Sequence, residues 1–147
     1  MITVDWGDPD ETLIVLRIQD NWHLNDFERA IQHIKTMLAQ APKLIDLMID
    51  IRAADPIQAH IVRAVDHHIA HRSLKLQRII AVTTPAQACT IQLLANFYPM
   101  IASEIVVVES VDQAYQLVLV PLLAIMHLTQ GQLLVEQEQA QTYIYIM

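Results

Sequence analysis

Four of the seven histidines fall within twelve residues, His60, His67, His68 and His71. On a helix advancing 100° per residue, His60, His67 and His71 lie within about 40° of one another, and His67 and His71 have the i, i+4 spacing that lets two imidazoles share a metal ion. That stripe borders the apolar face of its helix, Asp66 points to the opposite side, and no HExxH string supplies a catalytic glutamate. The expectation is therefore that these histidines border the core or line an interface, where protonation near neutral pH can alter a contact. Should a metal bind, His60, His67 and His71 are the residues to hold it.

A second group gathers where strands end. Asp50, Arg52 and Asp55 follow one apolar run, Thr83 and Thr84 the next, and Glu109 the last. Open α/β sheets bind ligands beyond the carboxyl ends of their strands, so these six residues form the expected ligand or partner surface. Each also has a structural use. Asp55 and Thr84 suit helix caps, and Arg52 is placed to pair with an aspartate. No nucleophile, base and orienting acid recur as a recognisable string, so no catalytic residue is expected. The chain has only two glycines, Gly7 and Gly131, too few for a phosphate-cradling loop, and no cofactor is expected.

The 147 residues, 54 % of them hydrophobic, suit one domain with a substantial core. The net charge of −7 argues against nucleic acid, whose phosphates are met by Lys and Arg. All nine basic residues lie between Arg17 and Arg78, and five acidic residues are the only charges from Ile79 to Met147 (Glu104, Glu109, Asp112, Glu136, Glu138). Such an uncharged half must be well buried or must meet another chain. Nothing at Met1 to Asp10 resembles a signal peptide, so a cytoplasmic location is expected. The single cysteine, Cys89, excludes an internal disulfide and reads as a small buried hydrophobe.

Positioning these groups requires a regular frame. Ile2 to Trp6 and Thr12 to Gln19 are β-rich and flank Gly7-Asp8-Pro9-Asp10-Glu11, which predicts an antiparallel hairpin. A helix follows, with Asn25 as cap, Glu28 three residues on, and Phe27, Ile31, Ile34 and Leu38 on one face. Leu44 to Ile51 reads as a central strand. Asp55-Pro56-Ile57-Gln58 opens a second helix whose inner stripe is Ile57, Ile61, Val65, His68 and Ile69. Leu76 to Val82 is the next strand, Thr84-Pro85-Ala86-Gln87 opens the third helix, Ile105 to Val108 is the last strand, and Ser110-Val111-Asp112-Gln113 opens the fourth helix. The expected fold is a single α/β domain of order β-β-α-β-α-β-α-β-α, its sheet mainly parallel with one antiparallel strand.

Residues 120–147 fall outside this alternation. Leu117 to Leu128 is too short for a membrane span and is broken by Pro121, so no transmembrane segment is expected. The region reads as a helical extension, then Gly131, then a Gln-rich stretch ending in Thr142 to Ile146, of strand propensity, as an added strand or an oligomerisation arm.

Four strings in this order carry a resemblance: Met1-Ile2-Thr3-Val4-Asp5-Trp6, Trp22 with Asp26-Phe27, Ile49-Asp50-Ile51-Arg52, and Phe97-Tyr98-Pro99. With the order of elements, they make Met1 to Leu119 resemble the STAS-type, SpoIIAA-like domains related to anti-sigma-factor antagonists. That resemblance implies a compact α/β domain used for regulatory protein contact, sometimes with a small ligand, rather than for catalysis. The family's phosphorylated serine at the start of the second helix has no counterpart, because Asp50 to Ala59 contains neither Ser nor Thr. The expected function is a non-catalytic regulatory or interaction domain, self-associating as a homo-oligomer, with a protein partner that the sequence leaves unidentified. The alternatives are a carrier for a small apolar ligand, marked by a cavity of a few hundred Å³, and a metal enzyme built on the histidines.

Overall fold

A computed structural model of the chain describes residues 1–54 and 59–119, with the backbone alone at 59–61 and 119. In order, the elements are β1 (Ile2–Trp6), β2 (Leu13–Ile18), α1 (Leu24–Gln40), β3 (Ile45–Asp50), α2 (Ala59–Ala70), β4 (Leu76–Val82), α3 (Pro85–Ala95), α4 (Pro99–Glu104), β5 (Ile105–Val108) and α5 (Val111–Leu119). The chain divides into two compact units, Met1–Ala114 and Tyr115–Met147. The expected cap and first turn at 55–58, and the extension 120–147, lie outside the described residues. No helix among the described residues is long and apolar enough to cross a membrane.

The fold is α/β, with a mixed five-stranded sheet in the order β1-β2-β3-β4-β5. β1 and β2 pair antiparallel, Ile2 opposite Ile18 and Trp6 opposite Ile14. The pairs β2–β3, β3–β4 and β4–β5 are parallel. Because right-handed crossovers that always step in one direction leave their helices on the same side of the sheet, strict sequential order predicts that the helices between parallel strands, α1 to α4, share one face. Side-chain alternation agrees. Ile14, Leu16, Ile18, Ile45, Leu47, Ile79 and Ile105 share one core with Phe27, Ile34 and Leu38 of α1, Val62 and Ile69 of α2, and Ile101 of α4. Residues of the other parity, Leu13, Val15, Met48, Ile80 and Val82, are also buried but stand outside that core. Strands buried on both faces read as mostly apolar runs, which is how β3 and β4 look in sequence apart from Asp46, Asp50, Gln77 and Arg78.

Local chemistry closes the hairpin. The Asp8 carboxylate accepts from the N–H groups of Thr12 at 2.9 Å and Leu13 at 3.0 Å, and from the Thr12 hydroxyl. A Cβ at Gly7 would stand 2.6 Å from Val15 Cγ2 and 2.8 Å from Leu13 Cδ2, so a side chain here would have to displace Val15 and Leu13.

Two local expectations are corrected. Helix α1 starts one residue before Asn25, because the Asp26 carboxylate reaches back 2.9 Å to the His23 N–H and makes His23 the cap. Helix α4, absent from the expected order, begins with Pro99 at its first position and spans six residues, too few for apolar periodicity to reveal. The third and fourth expected helices start as read. Thr84 Oγ1 accepts from Gln87 N–H at 3.2 Å while Gln87 Oε1 accepts from Thr84 N–H at 3.0 Å. Ser110 Oγ likewise accepts from Gln113 N–H at 3.1 Å.

Candidate functional site

Parallel strands bring the ends of β3, β4 and β5 to one edge, as the positions of Asp50, Thr83, Thr84 and Glu109 require. Arg52 clasps Asp50 with two guanidinium bonds, Nε to Oδ1 at 3.0 Å and Nη2 to Oδ2 at 2.9 Å, and its own N–H adds a third at 3.2 Å. Together with Arg17, Ile18, Gln19 and Ala53 they line an open depression of about 420 Å³. Thr83 is fully buried, its hydroxyl 3.4 Å from Val108 O, and Thr84 is engaged as the α3 cap. The Glu109 side chain is exposed, and its N–H donates to Gln113 Oε1 at 2.9 Å. Asp55 lies outside the described residues. Gln87 Nε2 donates to Ile51 O at 2.7 Å, tying the start of α3 to the loop that carries Arg52. That tie spans 36 residues, and no sequence signal announced it.

The guanidinium of Arg52 holds the Asp50 carboxyl below its ordinary value of 3.8, with burial opposing and the charge of Arg17 assisting. At Asp8, burial pushes the carboxyl up, but the bonds from Thr12 and Leu13 and the charge of Lys43 outweigh it, so this group too is lowered. A carboxylate whose native value is lowered stabilises the fold above its unfolded value, and the contribution disappears as pH falls through the native value. Asp50→Asn is expected to lose about 0.5–1 kcal/mol at pH 7, modest because Arg52 is solvated. Urea unfolding at a series of pH values should show the gap from the parent closing below pH 3.8. A gap that stays constant down to full protonation would exclude the ion pair as its source.

The histidines do not act as one set. His67 and His71 stack with ring centroids 4.5 Å apart, and His71 Nδ1 donates to His67 O at 2.9 Å. His68 meets the His67 ring edge-on, 5.8 Å between centroids, and reaches Glu28 Oε2 on α1 at 3.1 Å, with Phe27 6.3 Å away between centroids. The side chain of His60 lies outside the described residues. Among the described residues no three of His, Cys, Asp and Glu converge in a metal-binding group.

Two small apolar cavities lie between the sheet and its helices. One of about 90 Å³ is lined by carbon alone, from Trp22, Phe27, Ile51, Ile91, Leu94 and Ile105 among others. The other, about 70 Å³, also borders Phe27 and reaches His68 and Arg72. Among the described residues, no methionine lines either.

Helix α3 contributes no fully buried side chain. Its inner residues Ile91 and Leu94 border the larger cavity, whereas Leu93 is 64 % exposed and Phe97, just past its end, 78 % exposed. Cys89 is exposed rather than buried. The correction has a simple cause: α3 is apolar on every side, so hydrophobicity could not say which side turns in. No family model, no curated protein and no solved structure matches this chain.

Proposed function

We propose that this chain is a non-catalytic regulatory domain of the STAS type that works by contact with protein and associates with itself in the cytoplasm. The observation that carries the reading is α3, whose outward side chains Ala86, Cys89, Thr90 and Leu93 are all exposed in a stretch with no charged residue between Arg78 and Glu104. Exposed apolar surface free of charge is characteristic of contact surfaces. The order of elements and the four strings quoted above support the family assignment. The polar groups at the strand ends are mostly engaged with one another or with backbone, which suits a surface for contact better than one for proton transfer. The apolar cavities of about 90 and 70 Å³ fall short of the roughly 300–1,000 Å³ of sites for drug-sized ligands, and the depression of about 420 Å³ at the strand ends is open and lined by Arg17, Asp50 and Arg52, so the carrier of an apolar ligand is not advanced.

Sedimentation velocity on the full chain, from about 1 to 100 μM, is expected to show a dimer of 16.7 kDa protomers that dissociates on dilution. A single monomeric species at every concentration would refute self-association.

A further inference from the structure

We infer that the depression at the ends of β2 and β3 is a binding site for a small carboxylate, held between the guanidinium groups of Arg17 and Arg52. This goes beyond the protein contact proposed above and does not depend on self-association, since the lining residues belong to a single protomer.

The sheet brings the two arginines together. Arg17 and Asp50 are direct partners across the parallel pair β2–β3, so their side chains leave the sheet on the same face. That face is the one away from the core helices, because Leu16 and Ile18 on either side of Arg17, and Ile49 beside Asp50, pack into the helical core. Asp50 is already committed to Arg52, one carboxylate oxygen to Nε and the other to Nη2. The Arg17 guanidinium, at an exposed position, has no hydrogen-bond or ion-pair partner among the described residues, although its charge acts on Asp50. Its N–H groups and the Nη1 group of Arg52 are therefore the donors that the depression offers.

One of these donors is fixed in advance. Asp50 holds Arg52 through its guanidinium and its backbone N–H, and Gln87 Nε2 anchors the preceding residue through Ile51 O at 2.7 Å. A donor that is already oriented loses little freedom when a ligand arrives. Asp50 is thus a positioning residue.

Charge selects the class of ligand. Two guanidinium groups against one carboxylate leave the lining of the depression with a single net positive charge. A carboxylate balances it, and its planar pair of oxygens matches the guanidinium fork. A phosphate monoester, with a charge of about −1.5 to −2 at pH 7, would leave excess negative charge beside Asp50. The volume of about 420 Å³ lies within the roughly 300–1,000 Å³ of small-molecule sites.

The full-length protein titrated with sodium acetate at constant ionic strength is expected to show saturable NMR shifts of the Arg17 and Arg52 Nε–H signals, with Kd about 1 mM. Acetamide, which has the shape without the charge, should give none. Arg17→Gln and Arg52→Gln should each weaken acetate at least about 10-fold and leave distant signals in place. Asp50→Asn adds a positive charge to the lining, so it should reverse the preference and make phosphate the tighter ligand. Acetyl-triglycine carries the same carboxylate on a peptide: tighter binding than acetate would assign the ligand to a chain end, and equal binding to a free acid. Shifts that do not saturate, or that Arg17→Gln leaves unchanged, would overturn the site. A parent protein that prefers phosphate to acetate would overturn its assignment to a carboxylate.

Discussion

Phe27→Ala is expected to lower the unfolding free energy by about 4 kcal/mol, within the usual 3–5 kcal/mol range for deleting a buried ring. Phe27 is 3 % exposed and stands between Trp22 and His68, each 6.3 Å away between centroids. Together with Ile49 and Val65, it lines both the cavity of about 90 Å³ and that of about 70 Å³. Removing the ring enlarges both into a void that the sheet and helices cannot collapse to fill, and the penalty grows with the residual volume. Against a total of roughly 5–15 kcal/mol for a domain, that loss leaves a marginal protein. Urea unfolding followed by circular dichroism measures it. Benzene should raise the melting temperature of the variant and not of the parent, as an apolar void accepts an apolar guest. A loss below about 1.5 kcal/mol would mean that the helical layer repacks to fill the void.

Arg78→Met should cost about 3 kcal/mol. Arg78 and Asp46 face one another across β4 and β3, joined by Nε to Oδ1 at 3.0 Å and Nη2 to Oδ2 at 2.8 Å. Asp46 is 6 % exposed, so losing the guanidinium strands a buried carboxylate, and breaking such a pair from one side costs about 3–5 kcal/mol. The lower end applies because the Arg78 side chain keeps 25 % of its surface in solvent. The double change Asp46→Leu with Arg78→Met should recover to within about 1 kcal/mol of the parent, since apolar residues of similar volume replace buried pairs with little loss. The double-mutant cycle, by urea unfolding, isolates the pair from the other contacts of Arg78. If Arg78→Met alone costs less than the double change, the carboxylate is not dependent on this partner.

The frame that carries these groups was legible in the sequence because its signals are local. Thr84-Pro85-Ala86-Gln87 and Ser110-Val111-Asp112-Gln113 start helices through bonds spanning three residues, and the strand runs Leu76 to Val82 and Ile105 to Val108 have the bounds the structure shows. Alternation of strand and helix then implies parallel pairing, since a crossover helix returns the chain to the same end of the sheet. Asp50 beside Arg52 was readable for the same reason, being two residues apart. At α1 two local signals competed, and Asp26 reaching back to His23 prevailed over Asn25.

By itself, then, the sequence determined the α/β class, the order of its main elements and the strand ends where Asp50, Thr84 and Glu109 would stand. Only the tertiary structure decided the rest. Sequential strand order placed the described core helices on one face, and packing drew His68 to Glu28 across 40 residues and Arg78 to Asp46 across 32. It also turned Cys89 and Leu93 outward on a helix that is apolar all round. The physical reason is that hydrogen bonds between near neighbours and side-chain periodicity are written along the chain, whereas the choice among equally apolar faces depends on what lies across the core.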